Sequence, residues 1–140
     1  MSCHDIGHAL NTVTKTILEL LDAKRIDKET ARILLHRCER AVHWCDGNEY
    51  EATASLDAEY CGICLQKQQG KEWLYSVYAT IWGYHKVSNY QKEHNMVGSM
   101  MCEACFDKMC AEFGLTPLET TDLKNEQKEN GYAKIAYSTR

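Results

Sequence analysis

The residues best suited to chemistry are four cysteines in two pairs, Cys61-Gly62-Ile63-Cys64 and Cys102-Glu103-Ala104-Cys105. Two intervening residues let a tight knuckle aim both sulfurs at one point, about 2.3 Å from a bound ion. Two such pairs complete a tetrahedral four-thiolate shell, and zinc is the first expectation for that donor set. A rubredoxin-type iron or an iron–sulfur cluster uses the same ligands and is the alternative. Four unrelated buried thiols, or a redox-active pair, are the plainer readings. A redox role would call for a βαβ setting of thioredoxin type, and that pattern surrounds neither pair.

The chain has eight cysteines, so four lie outside the pairs. Cys38 falls on a helical stripe with Leu34, Leu35, Ala41 and Val42, and Cys110 shares a face with Phe106 and Met109. Free cysteine packs as a small hydrophobe, so core positions are expected for both. Cys3 and Cys45 meet at the open end of the helical hairpin described below, where they either pack or contribute to a second metal site. His4 and His8 are four apart, and His36, Glu39 and His43 fall within one sector. Each set could offer ligands to one ion, although its face lies opposite the apolar stripe and reads equally as a solvated surface. If Met1 is removed, Ser2-Cys3-His4 also places a histidine third from a free amine, a chelating arrangement for copper or nickel.

Several elements must position these groups. Ser2-Cys3-His4-Asp5 has capping-box form, and Ile6, Leu10, Val13, Ile17, Leu20 and Leu21 follow at helical spacing. Asp27 can cap a second helix with the stripe Ala31, Leu34, Leu35, Cys38, Ala41, Val42 and Cys45, which Gly47 would end. The short link between them predicts an antiparallel pair over residues 1–58. Trp73 to Val87 is rich in aromatic and β-branched residues and predicts a strand, with Gly83 as a bulge. The polar stretch Ser88–Asn95 would connect it to a partner strand over Met96–Met101. A third helix should open near Cys102 and end at Phe113 before Gly114. Pro117 then discourages continuation, residues 118–131 read as a loop or short surface helix, and Tyr132–Tyr137 as a terminal edge strand.

The order knuckle, β-hairpin, then a second cysteine pair on the first turn of a helix resembles a treble-clef zinc finger. The resemblance rests on residues 61–113 and the motif Cys61-x-x-Cys64 … Cys102-x-x-Cys105, with a long intervening stretch of 37 residues. It implies zinc and a local fold; the group is functionally diverse, so it implies no single activity. The fold class expected is α+β. Residues 1–58 form a helical hairpin, 59–116 a zinc module, and 117–140 a polar loop with an edge strand.

At 140 residues the chain has room for one domain or two small modules. No segment approaches the roughly 18 consecutive apolar residues that span a bilayer, so no membrane association is expected. No secretory signal pattern opens the sequence, and paired thiols suit reducing cytoplasm, although a processed secreted chain would look the same. Residues 1–60 carry seven Lys/Arg against eleven Asp/Glu, while residues 61–140 carry nine of each. That balance weighs against general duplex-DNA binding.

Three function classes follow. The first is a small zinc-binding interaction or regulatory protein, joined to a protein partner or to a second copy of itself. Ile33 and Trp44, eleven residues apart on one helical face away from the main stripe, mark such a surface or an internal docking face. The second is single-stranded nucleic-acid binding, because Trp73, Tyr75, Tyr78 and Trp82 with Lys86 nearby offer stacking and phosphate contacts. The third is a metalloenzyme or metal sensor built on the second Cys/His set. The chain has no Gly-rich phosphate loop, serine elbow or His-Glu-x-x-His motif, and a closed four-cysteine site leaves no position for water.

Overall fold

The computed structural model describes residues 3–42, 59–78 and 84–136, and the chain divides into two compact units, Met1–Ser55 and Leu56–Arg140. The class is α+β, with five helices and a small antiparallel sheet among the described residues.

The first unit holds α1 (Cys3–Asp22) and α2 (Lys28–Val42), packed against each other. Helix α1 ends where Lys24 takes a left-handed conformation (φ 58°), letting Arg25 N–H reach back to the Leu20 carbonyl. Asp27 caps α2 as its position predicts, its Oδ1 accepting from Thr30 N–H at 2.7 Å. The buried face of α1 is rotated from the expected stripe. Gly7, Asn11, Thr14, Ile17 and Leu18 are buried, while Val13 is 47% exposed. Opposite them Ala31, Leu35 and Cys38 are buried, and Ile33 and Leu34 are exposed. Small residues at Gly7, Thr14 and Ala31 suit close helix contact, and Thr14 hydrogen-bonds the Cys38 thiol.

In the second unit a knuckle over residues 60–67 precedes β1 (Trp73–Ser76), α3 (Tyr84–Glu93), β2 (Met100–Cys102), α4 (Glu103–Glu112), α5 (Pro117–Asn130) and β3 (Lys134–Ile135). The sheet order is β2-β1-β3. Strand β1 pairs Leu74 with Cys102 and Ser76 with Met100 on one side, and Trp73 with Ile135 on the other. The core joins Phe106 and Met109 of α4 to Leu74, Tyr75 and Met101 of the sheet, with the Tyr75 and Phe106 rings 5.1 Å apart.

One expectation is corrected and an open one is decided. The strand expected over Trp73–Val87 stops at Ser76, and residues 84–93, six of them expected in a polar connection, form α3. Val87 and Tyr90, three apart and both buried, anchor that helix. Of the loop or short surface helix expected over residues 118–131, it is the helix that forms, 14 residues long over Pro117–Asn130. Pro117 opens it at the first position, where its missing N–H costs nothing. Thr116 and Glu119 close a reciprocal capping box, and Gly131 ends the helix at φ 78°.

Tight backbone approach holds the knuckle to the sheet. Gly62 N–H donates to the Met100 carbonyl, and Val97 N–H donates to the Gly62 carbonyl, both at 2.9 Å. A Cβ at Gly62 would collide with the Val97 carbonyl oxygen and lie 3.2 Å from that of Met100, so only glycine fits.

Candidate metal centre

Three elements deliver the four paired cysteines to one point. Cys61 and Cys64 come from the knuckle, where Leu65 N–H closes back on the Cys61 carbonyl and Leu65 itself turns left-handed (φ 57°). Cys102 is both the last residue of β2 and the N-cap of α4, and Cys105 follows on the helix's first turn. All four Sγ atoms lie within 4.8 Å of one another. The Cys64 and Cys102 sulfurs are 3.9 Å apart. A tetrahedral ion with ~2.3 Å metal–sulfur bonds sets its sulfurs about 3.8 Å apart, so the observed spacing fits such a shell. It is far too long for a disulfide, whose sulfurs sit at about 2.05 Å.

The surroundings favour negative sulfur. Ile63 and Cys64 N–H groups point at Cys61 Sγ at 3.4 and 3.5 Å. The start of α4 adds its unpaired amides and the positive end of its dipole near Cys102 and Cys105. Hydrogen bonds from Cys102, then Cys105, pull the Cys61 thiol down to about 7, and the same two neighbours hold Cys64 well below the usual thiol range. Cys105 moves the other way, raised first by Cys102 and then by Cys61. Four sulfurs this close cannot all carry charge unaided, and a cation removes that conflict. Cys61, Cys102 and Cys105 are buried and Cys64 is partly open, so the centre is continuous with the hydrophobic core.

The other thiols behave as packing groups. Burial raises Cys38, whose partner is Thr14, and burial raises Cys110, whose partner is Thr120. Both threonines are themselves buried.

The second candidate set is only partly visible. His36 Nδ1 lies 3.5 Å from Glu39 Oε2. His8 is exposed, and none of these three joins a convergent group of metal ligands among the described residues. The side chains of Cys3 and His4, and residues His43, Trp44 and Cys45, lie outside the described part.

The aromatic surface is rearranged. Tyr75 is buried against Phe106 and belongs to the core, which removes it from any exposed stacking face. Trp73 is partly buried with Lys128 Nζ 5.1 Å above its ring, and Tyr78 O–H donates to Gln91 Oε1 at 2.6 Å. Lys86 is exposed, and Trp82 lies outside the described residues.

Folding also creates a grouping that no sequence motif marks. Glu93 and His94, at the end of α3, converge with Glu112 at the end of α4, their ligand atoms within 4.8 Å of one another. Eighteen residues separate His94 from Glu112, so only the packing of two helix ends brings them together. No helix among the described residues is long and apolar enough to cross a membrane. No family model matches the chain, and neither does any curated protein or solved structure.

Proposed function

We propose that the chain is a small zinc-binding interaction or regulatory protein whose Cys61, Cys64, Cys102 and Cys105 hold one structural ion. The convergence of four sulfurs at tetrahedral spacing carries this reading. A knuckle, an antiparallel β1/β2 pair and a helix bearing the second cysteine pair on its first turn support a treble-clef-like module. Four protein sulfurs close the shell, which suits holding a fold and leaves no position for substrate or water. Zinc suits the all-thiolate set, with iron as the alternative.

The work of such a protein is to present surface, either to a protein partner or to a second copy of itself. Metal analysis of reduced, purified chain should give one zinc per chain, and Cys61→Ser or Cys102→Ser should abolish it. A red chromophore would assign iron instead, and a metal-free folded chain would remove the reading. Sedimentation of the zinc-loaded chain separates self-association from a need for another protein.

A further inference from the structure

The three residues that meet at the ends of α3 and α4 form a different kind of site from the thiol cluster. Glu93 is the last residue of α3, His94 follows it, and Glu112 is the last residue of α4. His94 Nε2 lies 3.2 Å from Glu112 Oε2. Its ring is held in place by stacking on Tyr90, with centroids 4.0 Å apart, and Tyr90 in turn packs on Phe113 at 5.6 Å. The imidazole is therefore aimed by the core, while the side chains of His94 and Glu112 remain 35% and 47% exposed.

The ligand atoms of all three residues lie within 4.8 Å of one another. Each stands at the end of a helix, where the negative end of the helix dipole favours a positive charge. Two carboxylates add formal negative charge to the same place. One imidazole nitrogen with two carboxylates is a borderline donor set, suited to divalent first-row transition ions more than to magnesium or calcium.

From this geometry we infer that Glu93, His94 and Glu112 form a second metal site, open to solvent and matched to a divalent first-row transition ion. It differs from the cysteine centre in each respect that governs affinity. Its donors are nitrogen and oxygen, its three protein ligands leave positions for water or an outside ligand, and its ion can exchange with solution. Occupation would tie the end of α3 to the end of α4 through one ion. The simpler account of the same contact is a His94–Glu112 ion pair that binds nothing.

Cobalt(II) added to the full-length chain, after one equivalent of zinc, separates the two. Paramagnetic shifts and broadening of amide signals should centre on residues 90–96 and 110–115, without the intense absorption of cobalt–thiolate bonding. Glu112→Gln and Glu93→Gln lie at the surface and keep the side-chain shape, so the fold should persist. Each should weaken cobalt binding by ~10-fold or more, and His94→Asn should do the same. His8→Ala should change nothing at these signals. Effects confined to the N-terminal histidines, equal binding by Glu112→Gln, or no perturbation at all would overturn the inference. Intense cobalt–thiolate absorption after zinc addition would instead count against the zinc reading of the cysteines, and the shifts at residues 90–96 would still report on this site alone.

Discussion

In the first unit the helices meet through Gly7, Asn11, Thr14 and Ala31, with Ile17, Leu18, Leu35 and Cys38 completing the contact. The second unit buries Leu74, Tyr75, Met101, Phe106 and Met109 around three of its four paired cysteines. Both place an isolated cysteine against a buried threonine, Cys38 with Thr14 and Cys110 with Thr120. In these pairs burial raises a lone thiol, whereas the paired cysteines shift one another, Cys102 and then Cys105 drawing Cys61 down to about 7 while Cys102 and Cys105 themselves rise. An isolated cysteine thus answers to burial, and a clustered one to its neighbouring sulfurs. The second unit's core and ligand cluster are one object, so what disturbs either should disturb both.

Stripping the ion should give the largest effect and test that contrast directly. Structural zinc contributes free energy comparable with the whole stability of a small domain, so a strong chelator should unfold the second unit. Hydrogen exchange should then collapse over residues 59–78 and 84–136 while α1 and α2 keep their protection. Simultaneous loss from both units would break the comparison. Acid should produce the same order of events. Cys61 has a folded pKa below its ordinary value near 9, so its contribution is complete above that value and is lost as pH falls through about 7. Bound metal moves that loss to lower pH. The Asp27 cap is also depressed, by its bonds to Thr30, and weakens only below the ordinary carboxylate value of 3.8. The second unit should therefore melt first on acidification, as followed by NMR.

Gly62→Ala should come next, with a loss of more than ~3 kcal/mol in denaturant unfolding, because backbone and not a flexible side chain occupies the space. Little change would mean that the knuckle can move away from β2. Gln127→Ala should cost about 2 kcal/mol, since it strands the Ser76 N–H and carbonyl that its amide satisfies at 2.9 and 3.0 Å. The smallest effect belongs to the first unit: Ile33→Ser, at a position 49% exposed, should change stability within ~0.5 kcal/mol. A large loss there would show that the face is covered in solution.

Much of the ligand-bearing framework was legible in the sequence. The Cys-x-x-Cys spacing identified the cluster, Gly114 marked the end of α4, and composition marked the β1/β2 hairpin, with longer strands, and a terminal strand whose partner it did not give. Helix α3 was hidden because its aromatic and β-branched approach favours strand, and only Val87 and Tyr90 carry its buried spacing. Helix α5 lacked an apolar period because two of its buried residues, Thr120 and Gln127, are polar. Its Thr116-Pro117-Leu118-Glu119 start was readable as a capping box, and Pro117 as an opening residue. The rotation of α1 arose because Thr14 found a buried partner in Cys38 while Val13 was left outside. Glu93, His94 and Glu112 could be related only through the fold that brings the ends of α3 and α4 together.

Successive residues of β1 send their backbone polar groups to alternate sides. Glu72 and Leu74 face β3, Val77 faces β2, and Ser76 faces the space beyond the end of β3. There the Gln127 amide presents one acceptor and one donor to Ser76, matching what another strand would offer. An unpaired sheet margin is a template on which foreign strands assemble. A single side chain, held by a helix and unable to propagate a ladder, occupies that template at Ser76. Gln127 thereby fills, at the end of the central strand, the hydrogen bonds that a further strand residue would make, and Gln127→Ala should leave Ser76 open to a strand of another chain.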